Sequence, residues 1–337
     1  MKASPVVHTQ SRTVAASAAV GVVLLIAIVL ASVSIGAVHL SVTDVFNGIR
    51  GAGDASANTI VRDLRLPRVL LAACVGAGLS ISGGALQGTL RNPLAEPYLL
   101  GVSGGAAVGA VTLMMIGVAN PALITLAAFG GAALSTLLVT AIARVVGGSG
   151  DTRLLLMAGV VVGAFANAAI LVALADAPPE RLRGALWWMM GSASDATWPA
   201  IARIVGALTV FGVPLFWFAR DLDVLVLGDE PATALGVDVD RSARRIFLIA
   251  SWLAAATVAA AGLIGFVGLV VPNIARALGA QRHREIFALS ALYGAILLVA
   301  ADLLARTLRA PAELPLGAVT ALIGVPFFLS RLRKVAA

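Results

Sequence analysis

Apolar residues in this chain come in long unbroken runs, not in alternating or one-faced patterns. The first, "VAASAAVGVVLLIAIVLASVSIGAV", begins at Val14 and carries no charge. It is longer than the roughly 20 residues needed to span a bilayer. A soluble domain with a large core would interleave polar residues at helical spacing, and these runs do not. Ten apolar segments are read, near 14–36, 68–90, 97–118, 121–144, 153–175, 198–219, 245–265, 267–280, 285–305 and 314–331. The eighth is short and contains "VVPNIAR", which predicts a partial or broken span. Between the fifth and sixth, "PPERLRGALWWMMGSASDATW" places Trp187, Trp188 and Trp198 where indole rings favour the headgroup region. The pattern predicts an all-α polytopic membrane protein of about ten transmembrane helices, with residues 1–337 as one domain.

Composition agrees: mean hydropathy is +0.99, with 60% hydrophobic and 12% charged residues. The 35 glycines suit close helix approach in lipid. The lone cysteine, Cys74, excludes an intrachain disulfide and falls within a span. The first span is too long for a signal-peptide core and is kept as mature structure. A net charge of +7 would suggest nucleic acid in a soluble protein. Here the arginines flank spans, and no nucleic-acid partner is expected. With both termini inside, 15 of the 24 basic residues fall on the inner side. The positive-inside rule therefore favours cytoplasmic termini. Nine arginines remain outside, among them Arg50, Arg62, Arg65, Arg68, Arg306 and Arg309.

One stretch departs from the apolar pattern. "LVLGDEPATALGVDVDRSARR", Leu225 to Arg245, packs four acids and three arginines between apolar runs. It predicts a short helix over Asp229–Leu235, a break at Gly236, and a second helix, "RSARRIF", capped by Asp240. On the residues alone, a solvated loop and a protein-docking knob both fit. The chain has no Walker-type phosphate loop, since its only lysines are Lys2 and Lys334. Any ATP-driven work would need another chain.

A second distinctive stretch runs from Arg65 to Ala110, "RLPRVLLAACVGAGLSISGGALQGTLRNPLAEPYLLGVSGGAAVGA". Pro67 is read as ending a loop and starting a span. "GAGLSISGG" offers a small-residue face. "RNPLAEP" interrupts the apolar pattern, because Asn92 and Glu96 each precede a proline. It reads as a tight interhelical turn or as a constriction on a pathway.

Together with "TRLLLMAGV", "WWMMGS", "LGDEPATALGV", "GLIGFVGLVVPNIAR", "AADLLAR" and "AELPLGAVTALIGVPFF", this stretch resembles the FecCD-type permeases of type II ATP-binding-cassette importers. The pieces lie in family order from about residue 60 to 330. The resemblance implies the type II importer permease fold in a bacterial inner membrane, working as a homodimer with two ATPase subunits. A periplasmic or lipid-anchored binding protein would deliver a ferric siderophore, haem or cobalamin. ATP and Mg would sit on the partner ATPase, and this chain would bind no cofactor or metal and catalyse no reaction. The segment near 222–244 would couple to the ATPase through Gly228, Asp229, Glu230, Ala234, Leu235 and Gly236. Arg65, Arg68 and Arg306 would meet the binding protein, against headgroup snorkelling as the alternative. Asn92 and Leu94, with Thr152 nearby, would form the cytoplasmic gate. Asp302 is expected to pair with Arg306 one turn on. The rival class, an ion-coupled secondary transporter, predicts buried carboxylates near mid-membrane, which these spans nearly lack.

Overall fold

A computed structural model describes residues 5–36, 38–147 and 152–336, and every regular element among them is helical. Seven helices are long and apolar enough to cross a membrane. They are α1 (Pro5–Ser34), α3 (Ala55–Thr89), α5 (Pro121–Gly147), α6 (Thr152–Ala175), α8 (Trp198–Trp217), α11 (Val239–Ala261) and α13 (His283–Thr307). Three further apolar helices are shorter or broken: α4 (Val102–Met115), α12 (Val267–Ala277) and α14 (Leu316–Ala336), which has Pro326 inside it. These ten correspond one to one with the ten apolar segments. The small helices α2 (Val42–Arg50), α7 (Pro179–Met189), α9 (Ala219–Leu225) and α10 (Asp229–Ala234) lie between them.

The third segment is helical over less of its length than its hydropathy suggests. Pro97–Leu100 form a 3-10 turn, and Gly101 takes a left-handed φ of 79° before α4 begins. The chain is thus non-helical between α3 and α4, and again between α11 and α12. Drawn with α3 descending, the first gap lies below α4 and the second lies above α12.

Helix α3 is the axis of the molecule. It packs against α13, α11, α12 and α8, while α4 packs on α5 and α6. Glycines bring α3 onto its neighbours: a β-carbon at Gly76 would overlap the backbone of Gly294, and one at Gly83 the backbone of Gly268. Without a hydrophobic force between helices in lipid, such contacts hold by dispersion. Helix α1 leans on α13 and leaves most of its apolar surface outward.

Pro67 does not start a span. Helix α3 continues above it to Ala55, and Ile60–Arg65 widen into a π turn in which the Leu66 amide donates to Val61. A proline ring clashes with the carbonyl four residues back, and the wider turn moves that carbonyl aside. Helix α8 repeats the device, with a π turn at Leu208–Gly212 just above Pro214. The sequence reading treated Pro67 only as a terminal residue and so missed this solution.

Candidate functional site

At the lower end, α3 closes in a Schellman motif. The Asn92 amide donates to the Gln87 carbonyl at 3.1 Å, and the Arg91 amide to Gly88 at 3.2 Å. This geometry puts a left-handed residue at the position where glycine is usual. Here that residue is Arg91, with φ 48°. Asn92 Oδ1 then accepts the Leu94 amide at 2.9 Å, an Asx turn, and Leu94 projects with 43% of its surface exposed. Asn92 and Leu94 thus share one rigid turn. Thr152 opens α6, and its side chain lies outside the described residues, as does Asp151.

The return path of the chain is locked to the second helix gap. Glu96 Oε1 accepts the Phe266 amide at 2.5 Å, capping α12 at a residue whose φ is 68°. The Tyr98 hydroxyl accepts the Ile264 amide. Gln87 Nε2 donates to the carbonyls of Gly268 and Leu269, both at 3.2 Å, while its Oε1 accepts Arg276 Nη1 at 2.6 Å. Asn273 Nδ2 donates to Pro93 at 3.2 Å. Non-helical backbone is tolerated at membrane depth only where protein satisfies it, and these side chains supply the partners. "RNPLAEPY" and "GLIGFVGLVVPNIAR" are therefore two halves of one structure. A carboxylate anchored at a helix N-terminus is also favoured by the helix dipole. Replacing Tyr98 with phenylalanine strands the Ile264 amide. The expected loss is about 1–3 kcal/mol, read as a lowered thermal midpoint of the purified protein in detergent. An unchanged midpoint would show that this amide does not need the hydroxyl.

Below the bundle stands the mixed-charge segment. Gly228 (φ 115°) turns the chain into α10, and Gly236 (φ 84°) ends it in a second Schellman motif, with the Val237 amide on Ala232. The helix ends at Ala234, one residue earlier than expected. The cap of α11 is Asp238, whose Oδ1 accepts the Arg241 amide at 3.1 Å, and not Asp240. Asp240 already lies in the first turn of α11, so only Asp238 has the extended backbone that a cap requires. Ala232 is fully buried, whereas Leu227 and Leu235 are 61% and 63% exposed. Glu230, Ala234 and Gly236 are exposed beside them. The segment is braced from within: Asp223 Oδ1 accepts the His283 amide at 2.8 Å and faces its Nδ1 at 2.6 Å, and Ser242 donates to Asp221 at 3.1 Å.

At the upper end, Arg65, Arg68 and Arg306 come together inside the molecule. Arg65 is 8% exposed and donates to the Val33, Ser34 and Val38 carbonyls, satisfying the end of α1. Arg68 grips Asp302 through Nε (3.0 Å) and Nη2 (2.9 Å), and Glu313 through Nη1 (2.7 Å). Arg306 donates to the carbonyl and hydroxyl of Ser32, with its Nε 3.7 Å from Asp302. The expected pairing of Asp302 with Arg306 is present, but Arg68 is the closer partner. Glu313 was not singled out by the sequence; it lies between Pro311 and Pro315, two residues from each, in the segment that joins two helices, which is the signal available. Arg50 and Arg309 stay exposed at this end.

The FecCD transport family matches residues 24–334. The chain belongs to that family. A cobalamin import system permease of Halobacterium salinarum is 42% identical, over 82% of this chain and 74% of its own. A hemin transport system permease of Yersinia pestis is 40% identical, over 91% of this chain and 92% of its own. Among solved structures, a metal-chelate type ABC transporter in an inward-facing conformation superposes with a TM-score of 0.86. It shares 28% identity and covers 94% of this chain and 98% of its own. The FecCD permease is thus an all-helical, multi-pass membrane subunit of the type II ABC importer class, as its sequence resemblance implied. The secondary-transporter alternative finds no support among these relatives.

Proposed function

We propose that this chain is the permease of an ATP-driven importer that moves a bulky metal chelate, a ferric siderophore, haem or cobalamin, across the bacterial inner membrane. Two copies form the pathway between them, and two ATPase subunits, which hold ATP and Mg, dock at the lower, cytoplasmic end. Both termini lie on that side, in keeping with the inward excess of basic residues.

The observation that carries this reading is the surface of the α9–α10 segment. Leu227 and Leu235 are exposed apolar side chains beside exposed Asp229 and Glu230. An apolar spot rimmed by charge belongs in water against a protein, not in lipid. Gly228, Asp229, Glu230, Ala234, Leu235 and Gly236 together make the knob that a cleft in the ATPase would receive. The turn holding Asn92 and Leu94, with Thr152 at the head of α6, is the cytoplasmic gate.

A periplasmic or lipid-anchored binding protein docks at the upper end. Because Arg65, Arg68 and Arg306 are held by the chain's own carbonyls and carboxylates, their part is to shape a positively charged rim. The exposed Arg50 and Arg309 add to the field that steers an acidic partner.

Replacing Leu235 with arginine tests the knob. Co-purification of the ATPase with the tagged permease should fall at least about tenfold, as for loss of one buried anchor at an interface. A complex that stays intact and still drives uptake would overturn the proposed contact.

A further inference from the structure

We propose that Arg91 is a transmission strut, a positioning residue that ties the gate turn to the ATPase-facing knob. The inference rests on the reading of the knob given above and adds the route by which its movement reaches the pathway.

Arg91 belongs to the gate turn by backbone and to the knob by side chain. Its amide and that of Asn92 close α3. Its guanidinium leaves α3 altogether. Nε donates to the Leu225 carbonyl at 2.8 Å, at the last turn of α9, and Nη2 meets Asp229 Oδ1 at 2.5 Å, in the first turn of α10. One side chain thus bridges both sides of the Gly228 bend. A displacement of α10 pulls on these bonds and through them on residue 91, and Asn92 and Leu94 follow within the same Schellman and Asx turns.

The backbone points the same way. A left-handed φ is unfavourable for a residue with a β-carbon and costs glycine nothing. At the equivalent position after α10 this chain does place glycine, Gly236. At residue 91 it accepts the strained conformation in a side chain whose polar partners among the described residues are the end of α9 and the start of α10. Strain of this kind persists where the surroundings over-determine it. The ion pair itself is half-exposed, with Arg91 36% and Asp229 69% accessible, and pairs of that kind contribute little to stability. The ion pair's stability therefore does not account for its place here, whereas a geometric link does.

Other lower-end ties differ in kind. The Asp223–His283 and Asp221–Ser242 bonds hold α9 to α13 and α11, the frame around the knob. Among the hydrogen bonds and ion pairs of the described residues, those of Arg91 join the knob to the turn that carries Asn92 and Leu94.

Arg91→Gly is the informative variant, because glycine suits the left-handed position and the turn should fold as before. The complete transporter, with its ATPase and binding protein, is reconstituted in vesicles, and ATP hydrolysis and uptake of labelled chelate are measured together. The expected result is an intact complex with hydrolysis within about twofold of the parent. Uptake per ATP should fall about tenfold, inside the usual range of coupling between two sites. The exchanged pair, Arg91→Asp with Asp229→Arg, should recover uptake per ATP relative to Arg91→Asp alone. Unchanged uptake per ATP in Arg91→Gly overturns the strut. Failure of any ATPase to co-purify with the parent chain would instead overturn the reading of the knob, so the two failures are distinguishable.

Discussion

Replacing Asp302 with alanine is expected to destabilise the protein by about 3–5 kcal/mol, the cost of breaking a buried ion pair from one side. Asp302 is 1% exposed and takes both Nε and Nη2 of Arg68, with Arg306 on its other flank. Once it is removed, the three guanidinium groups of the cluster, those of Arg65, Arg68 and Arg306, are left with Glu313, whose ion pair is with Arg68. Arg306 keeps only its neutral partner, Ser32. The charge left behind, and not the value of the lost pair, sets the size of the effect. Asp302→Asn, which keeps the shape, should fall between. Glu313→Gln should cost least, because Glu313 is 32% exposed and water can take its place. Thermal midpoints of the three purified variants give the order directly. Equal losses for Glu313→Gln and Asp302→Ala would show that the buried cluster does not depend on Asp302.

The second large effect is steric. Gly83→Ala should cost about 3 kcal/mol or more, at the upper end of overpacking, because its β-carbon would collide with the Gly268 backbone. A side chain could swing away from such a collision; a carbonyl fixed in a helix cannot. Gly130→Ala supplies the control. Its β-carbon would meet nothing within 4 Å, and alanine is the better helix former by about 1 kcal/mol, so the variant should be neutral or slightly stabilised. The adjacent Gly131 lies against the Gly105 carbonyl and should behave like Gly83. The contrast between neighbours 130 and 131 separates packing from propensity, and a shared response would argue that propensity alone decides.

How much of this was legible in the sequence depends on the range of the forces involved. The ten apolar segments were, because an uncharged run of bilayer length has few other fates. The short eighth segment was also legible, because "VVPNIAR" brings polar residues close behind it. The knob showed as a break in composition, and Gly236 showed as its end. What failed was local choice between near neighbours: Asp238 and Asp240 are both good caps, and only the backbone path selects one. Pro67 was misplaced because a π turn leaves no compositional trace. Arg65, Arg68 and Arg306 were counted to one end of the bundle together, where they do meet, but their partners were hidden. Arg68 and Asp302 are 234 residues apart in the chain, and nothing in a single sequence links them. Glu96 was read as part of a turn and Tyr98 as part of the third apolar segment, since the amides they satisfy belong to a helix break 166 or more residues away.

Helix α3 joins the two ends of this permease in one uninterrupted piece. Its 35 residues make a rod of about 52 Å, with Arg65 and Arg68 in its upper half and Arg91 just past its foot. Gly76 and Gly83 press it against its neighbours in between. The rod is also buried along its length from Pro67 to Thr89, and a close-packed interior transmits strain, so a push at its foot is carried upward by the whole helix instead of being absorbed in a local bend.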